Sequence, residues 1–477
     1  MSSISIKKAV TINFISKYVN VFAQLLINSV LARILTPDDY GVVAIINVFI
    51  SFFTIVADMG IGPAIIQYKD LSKKQISDIF VFTIAVAVIS SIGFIGFSYP
   101  LSIIYQNKVY VPLGMILSIG IFFNVINIVP NALLLKNKQF KSLGIRNVII
   151  NLIGGIITII LAIQGAKYYA LVINSVVIGF FTFIFNYYCS KIKVFFKFSF
   201  DSIKQIQEFS TYQFGFNFIN YFSRNLDNLF IGKFMGQIAL GYYDKAYKLV
   251  LYPVQNLTHV ITPVLHPILS DYNNKDRIYY EYLKIVKLLL ILGIFFSAFC
   301  YFSADEIILI MFGNQWIDSI STFKILSITI WIQMVMSTTG SIFQSLGDTK
   351  SLFRVGIITT IINVVAITIG VLSLKIELVS LCILISFSIN LCITFYYLIN
   401  KSLSKSVSQF LNELKCGVGI AIIMIVSYIA IPITVNNIIF AISIKLVIAM
   451  ISLIVGLLVT KEISIFKIFF KRRIKAV

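Results

Sequence analysis

Apolar stretches about 20 residues long recur from one end of the chain to the other, and Lys, Asp, Asn, Pro and Gly collect in the short gaps between them. A helix needs about 20 apolar residues to cross some 30 Å of hydrocarbon. Inside lipid only helices and closed barrels satisfy all their backbone polar groups, and a barrel would read as short alternating segments. The pattern therefore predicts an all-α polytopic membrane protein. Fourteen spans are expected, at 10–34, 41–66, 79–100, 112–135, 145–164, 168–188, 211–236, 246–270, 283–303, 322–345, 353–373, 378–398, 416–434 and 438–460.

Composition agrees: 58% of residues are hydrophobic and 12% charged, against about 25% charged in a soluble protein. The net charge of +20 would suit nucleic acid, but the basic residues sit in the gaps between spans, so no nucleic-acid partner is expected. On the fourteen-span topology 29 of the 39 Lys and Arg fall on one side and 8 on the other, with Arg224 and Lys445 inside spans. Basic residues mark the cytoplasmic side, so both termini are expected there. The first apolar stretch carries Lys17 and Asn20, which argues against a cleaved signal peptide. The five scattered cysteines form no CxxC pair and read as apolar filler. No gap exceeds 22 residues, which leaves no room for a soluble catalytic domain. There is no P-loop, no metal-ligand spacing and no nucleophile–base pair. No enzyme activity, metal or bound cofactor is expected.

Sliding the sequence against itself by 200 residues aligns Phe14 with Phe214, Asn20 with Asn220, Leu26 with Leu226 and Asn28 with Asn228. It also aligns Arg33 with Lys233, Gly41 with Gly241 and Pro63 with Pro263. Six spans separate the copies, so both cross in the same direction, as in a parallel repeat. The expected division is a six-helix lobe over 1–188, a cytoplasmic linker over 189–210 and a second six-helix lobe over 211–398. Two additional helices and a basic tail follow over 399–477.

Four spans carry polar stripes at helical spacing. Span 1 has Lys17, Asn20, Gln24 and Asn28, and span 7 has Gln213, Asn217, Asn220, Arg224 and Asp227 with Asn228. Span 2 has Asn47, Ser51, Thr54 and Asp58, and span 8 has Lys248, Tyr252, Gln255 and His259. A charge at bilayer depth costs about 2.5–3.5 kcal/mol on insertion scales. Stripes at equivalent places in two lobes predict a shared hydrated cavity that is mildly cationic, with Lys17, Arg224 and Lys248 against Asp58 and Asp227. Arg and Lys suit phosphate or acidic sugars, and amides suit sugar hydroxyls. The same residues read alternatively as interhelical glue. Arg224 and Asp227 could neutralise each other, Lys17 and Lys445 could snorkel to an interface, and His259 could be a hydrogen-bonded helix residue. Pro63, Pro253 and Pro263 are expected bend points.

Several stretches resemble a known family: "LARILTPDDYGVVA" (31–44), "DMGIGPAIIQ" (58–67), "RNLDNLFIGKFMG" (224–236) and "LGYYDKAYKLVLYPVQNLTHVITPVLHPILS" (240–270). "FGNQWIDS" (312–319) and "GSIFQSLGDTK" (340–350) fit as well. They are similar to the polysaccharide-transporter branch of the multidrug/oligosaccharidyl-lipid/polysaccharide exporter superfamily, and within it to Wzx-type flippases of the colanic and teichuronic acid exporter kind. The resemblance implies a two-lobed flippase that moves undecaprenyl-pyrophosphate-linked oligosaccharide repeat units across the cytoplasmic membrane by alternating access. The partners it implies are that lipid-linked substrate, the membrane lipids, and the polymerase and chain-length machinery. Arg224 and Lys17 take the basic cavity role by position. Coupling in the family is attributed to ion gradients, H⁺ or Na⁺, with Asp58 and Asp227 as candidates for ion coupling or charge balance. A cation-coupled multidrug-type antiporter on the same scaffold is the alternative, and it would want an acidic cavity. A membrane polymerase or ligase would need a sizeable outward loop, which the chain lacks.

Overall fold

A computed structural model describes the backbone of residues 3–68, 70–195, 198–270, 274–431, 435 and 437–463. It describes their side chains except at 3–16, 140, 208–209, 212–213, 216–217, 219–220, 222–224, 259–264, 266–268, 270 and 349. The described residues form helices and no strand. In chain order the helices are α1 (Ser3–Ile34), α2 (Pro37–Asp58), α3 (Ile61–Gln67), α4 (Lys73–Ile104), α5 (Tyr110–Ile126), α6 (Ile128–Lys136) and α7 (Phe140–Ile163). Then come α8 (Tyr168–Ser190), α9 (Asp201–Phe234), α10 (Gln237–Ser270), α11 (Lys275–Phe302), α12 (Ala304–Met311), α13 (Ser319–Ser327) and α14 (Thr329–Met336). The last are α15 (Thr339–Ser345), α16 (Thr349–Leu372), α17 (Ile376–Phe395), α18 (Val407–Glu413), α19 (Lys415–Ala430) and α20 (Ile438–Val459).

Among the described residues nine helices are long and apolar enough to cross a membrane, or eleven if two bent pairs each count as one span. The bends are 46° between Ser319–Ser327 and Thr329–Ser345, and 41° between Val407–Glu413 and Lys415–Ala430. Helices α1, α9 and α10 stand where spans 1, 7 and 8 are expected. α9 begins at Asp201 and runs for 34 residues, so half of the expected linker is already helix.

The "TPDDYG" stretch shows why α2 starts where it does. Pro37 opens the helix, where its missing N–H is no loss. Thr36 and Asp39 form a capping box: the Thr36 N–H and hydroxyl donate to Asp39 Oδ2 at 2.9 and 2.8 Å, and the Asp39 N–H donates to Thr36 Oγ1 at 3.3 Å. Two residues on, Gly41 lies against the backbone of Gln237, and Gly241 lies against the backbone of Pro37. Gly41 and Gly241, and likewise Pro37 and Gln237, are equivalent positions 200 apart, so the repeat read from the sequence is visible as a reciprocal backbone contact. Only glycine fits: a Cβ at Gly41 would sit 1.8 Å from the Gln237 carbonyl oxygen, and one at Gly241 would sit 2.0 Å from that of Pro37.

α2 stops where Met59 and Gly60 both take left-handed backbone, with φ of 47° and 76°. α3 then begins, with Pro63 in its first turn. The bend expected at Pro63 is therefore made at Met59–Gly60, because a proline in the first turn has no hydrogen bond to break. α10 continues as one helical element through Pro253 and Pro263.

By internal contacts the chain forms two compact units, Met1–Gly241 and Tyr242–Val477. In the first, α4 packs on α5, α1 on α7, α5 on α8, α3 on α6 and α2 on α9, so α9 belongs with the helices that precede it. A core cluster joins Ile61 and Ile65 of α3, Phe80 of α4, Val129 and Leu133 of α6 and Ile206 of α9. In the second, α16 packs on α17 and α11 on α14. α19 and α20 pack on each other and on α11.

Two ion-pair groups fasten those last helices. Lys287 of α11 reaches Glu413 and Glu462, each at 3.0 Å. Lys445 of α20 reaches Glu306 of α12 at 2.5 Å and the Phe302 carbonyl oxygen at 2.7 Å. Lys445 thus has a carboxylate partner, rather than snorkelling or capping its own helix. At the start of α16, Asp348 accepts from the Ser351 N–H at 3.0 Å and from the Ser402 hydroxyl at 2.6 Å. Burial alone would raise the Asp348 carboxyl pKa, but Ser402, Ser351 and Lys275 outweigh it and hold it below its ordinary value.

Gly41→Val should cost about 1–3 kcal/mol through overpacking against backbone that cannot swing aside; thermal unfolding in detergent at the wild-type temperature would refute this. Lys445→Met alone should cost about 3–5 kcal/mol by leaving Glu306 unpaired, and the double change Lys445→Met/Glu306→Met should recover most of that loss. A double variant as unstable as the single one would contradict the pairing. Asp348→Ala should cost about 1 kcal/mol at neutral pH. A depressed carboxyl pKa stabilises the fold above the unfolded-state pKa, and that stabilisation fades as pH falls through the folded-state value. The gap between Asp348→Ala and wild type in denaturant titrations should therefore close on acidification.

Candidate functional site

The predicted stripe residues meet different fates. The side chains of Gln213, Asn217, Asn220, Arg224 and His259 lie outside the described residues. Asn20 accepts from Asn151 Nδ2 at 2.9 Å, which ties α1 to α7 and makes this amide interhelical glue. Lys17, Gln24 and Asn28 are partly buried on α1. Asp58 accepts from the Gly62 N–H at 3.2 Å and so caps the start of α3. Asp227 is buried and accepts from the Asn228 N–H at 2.8 Å, while Asn228 Oδ1 is buried without a hydrogen-bond partner. In the second unit Gln255 is exposed, and Lys248 pairs with Asp244 at 2.6 Å. Asp244 does not figure in the sequence-based charge count, so this cation is already balanced.

Two polar arrangements in the first unit escape the sequence reading. The first is Arg146, which falls in a basic gap by sequence but lies within α7 and is only 9% exposed. Its guanidinium donates from Nη1 to Asn186 Oδ1 at 2.7 Å and Asn131 Oδ1 at 3.2 Å, and from Nη2 and Nε to Asn147 Oδ1 at 2.7 and 3.1 Å. Asn186 in turn donates to Asn127 Oδ1 at 2.8 Å. Three helices are thereby joined around one buried cation whose partners are amides. The only sequence signal for it is the set of asparagines on α6, α7 and α8.

The second is a cleft of about 620 Å³, within the range of ligand pockets. Its apolar lining is Met59, Ile61, Phe82, Phe200, Ile203 and Ile206, and its polar lining is Lys204, Gln207, Ser210 and Thr211. Polar clasps fix one wall. The Ser202 hydroxyl donates to the buried Asp78 carboxylate at 2.7 Å, and Gln75 Nε2 donates to Gln205 Oε1 at 2.5 Å. The Phe195 N–H donates to Ser77 Oγ at 2.7 Å. These hold the first turns of α9 against the start of α4, while the Met59–Gly60 break turns the chain to supply the opposite wall. Lys204 is exposed at the rim. Ser210 is only 7% exposed, and its hydroxyl has no hydrogen-bond partner.

A family model described as polysaccharide biosynthesis protein matches residues 30–321. The Bacillus subtilis teichuronic acid biosynthesis protein TuaB is 26% identical over 300 residues, which is 62% of this chain and 62% of TuaB, less than two thirds of that relative's length. The Escherichia coli lipopolysaccharide biosynthesis protein WzxC is 23% identical over 405 residues, 81% of this chain and 79% of WzxC. Among solved structures, the lipid II flippase MurJ in an inward closed conformation is similar with a TM-score of 0.74 at 17% identity, over 97% of this chain and 99% of that one. At that identity the likeness is one of fold.

Asn186→Ala removes one of the two shortest bonds to Arg146 and leaves part of a buried guanidinium unsatisfied, so it should cost about 2–3 kcal/mol. Unfolding of the purified variant within about 0.5 kcal/mol of wild type would show that Arg146 does not depend on this amide.

Proposed function

This chain belongs to the polysaccharide biosynthesis protein family, and on that premise we propose that it is a flippase for lipid-linked oligosaccharides used in surface polysaccharide synthesis. The observation that carries the reading is the family match itself, which runs from residue 30 to residue 321 and so takes in the polar stripes of spans 2, 7 and 8. The relatives named above serve teichuronic acid and lipopolysaccharide biosynthesis, and the chain is built as a set of membrane helices.

The physical problem is a charged, hydroxylated head group that hydrocarbon rejects. A path lined by amides and cations lowers that barrier, while the polyprenyl tail stays in lipid. Undecaprenyl pyrophosphate is the carrier this reading favours. Arg224 and Lys17 would meet its phosphates, and the stripe amides would meet sugar hydroxyls. Lys248 contributes less to that charge than its sequence position suggests, because Asp244 pairs with it. Alternating access would expose the path first to the cytoplasm and then outward, with both termini cytoplasmic. Protonation or Na⁺ binding at Asp227 would supply the coupling. Asp58 is the weaker coupling candidate because it caps α3. The protein acts as a transporter and has no catalytic role in this scheme.

Deleting the gene should trap lipid-linked repeat units in the cytoplasmic leaflet and remove the surface polymer, with both restored by the wild-type gene. Arg224→Ala should insert normally and restore less than about a tenth of the surface polymer. Arg224→Lys, which keeps the charge and loses the bidentate fork, should be partly active. Full export by Arg224→Ala, measured by polymer blotting, would remove the phosphate-binding role.

A further inference from the structure

The cleft between the Met59–Gly60 elbow and the first turns of α9 has a chemistry the transport path does not explain. One side is hydrocarbon: Met59, Phe82, Phe200 and Ile203. The rim carries Lys204, and the interior carries the Ser210 hydroxyl, 93% buried and without a partner. A buried hydroxyl left unpaired is costly, and most such groups in proteins find a donor or acceptor. Here it waits beside an exposed cation and an apolar wall. The lysine distribution assigns this end of α4 and α9 to the cytoplasm, where a lipid-linked precursor would be loaded.

Resting on the flippase reading, we infer that this cleft docks the lipid carrier before translocation: the first isoprene units lie on the apolar wall, and the phosphates meet Lys204 and the Ser210 hydroxyl. The amphiphilic lining decides between occupants. A free sugar would leave the phenylalanines and isoleucines wet. A hydrocarbon alone would leave Lys204 unused and Ser210 unpaired. A polyprenyl phosphate satisfies all of them, through charge-assisted hydrogen bonds at one end and area burial at the other. The wall is preformed, because Ser202–Asp78 and Gln75–Gln205 clasp α9 to α4 and Ile206 is seated in the core. Docking therefore needs little ordering of the protein, which favours binding.

The test uses the full-length protein in phosphatidylcholine nanodiscs, with undecaprenyl diphosphate as the probe and undecaprenol and phosphatidylglycerol as comparisons, read by native mass spectrometry. The diphosphate should bind about tenfold more tightly than the alcohol, and Lys204→Gln should remove about that tenfold difference without altering undecaprenol binding. Ile203→Trp, which fills the cleft from a partly exposed position, should weaken both probes, and Ser210→Ala should weaken the diphosphate alone. Unchanged diphosphate binding in Lys204→Gln and Ile203→Trp overturns the proposal. So does equal competition by phosphatidylglycerol, which would mark a site for bulk lipid. Export in cells separates the two readings. If the wild type exports polymer and both variants bind and export as it does, the cleft falls and the flippase stands. If the wild type exports none, the flippase reading falls and this docking role with it.

Discussion

Hydrocarbon offers no hydrogen bonds, so every polar group within the membrane must find its partner inside the protein. That constraint accounts for most of the polar chemistry in the described residues. Arg146 is wrapped in asparagines. Asn363 is bonded by Ser386 at 2.5 Å and Asn390 at 2.8 Å, which joins α16 to α17. Asn151 bonds Asn20, and Lys445 bonds Glu306. Between lipid-exposed helices, apolar contact gains little over contact with lipid tails, so such bonds are what pick one helix neighbour over another.

Several buried side-chain polar atoms among the described residues have no hydrogen-bond partner, Ser303 Oγ and Thr394 Oγ1 among them. Ser210 and Asn228 each keep a buried polar atom without a partner. One lies in the cleft beside α9 and the other on the span 7 stripe.

The stretches that carry the family resemblance have architectural jobs. "TPDDYG" supplies a capping box, a first-turn proline and the glycine that lets the starts of α2 and α10 touch backbone to backbone. "DMGIGP" supplies the left-handed break that separates α2 from α3 and forms one wall of the cleft. "FGNQW" sets Trp316 fully buried against Phe312 and Tyr242, with Lys245 5.8 Å from its ring centre. These three stretches of the family likeness therefore reflect how the helices are held.

Helix positions were legible in the sequence because a 20-residue apolar run in lipid has one low-energy structure, and the 200-residue repeat was legible because Gly41 and Gly241 answer the same steric demand. The all-α class, the equivalence of Gly41 and Gly241 and the family resemblance follow from that local information. Partners do not. A lone Arg in a basic gap looks like a topology signal until three helices bring Asn131, Asn147 and Asn186 around it. Lys248 looks like a free cation until the i, i+4 geometry with Asp244 is seen to be used. The cleft is built from residues more than 100 positions apart. Sequence fixes which groups need a partner; only the packed helices decide which group supplies it, because that choice depends on distances of a few ångströms between segments far apart along the chain.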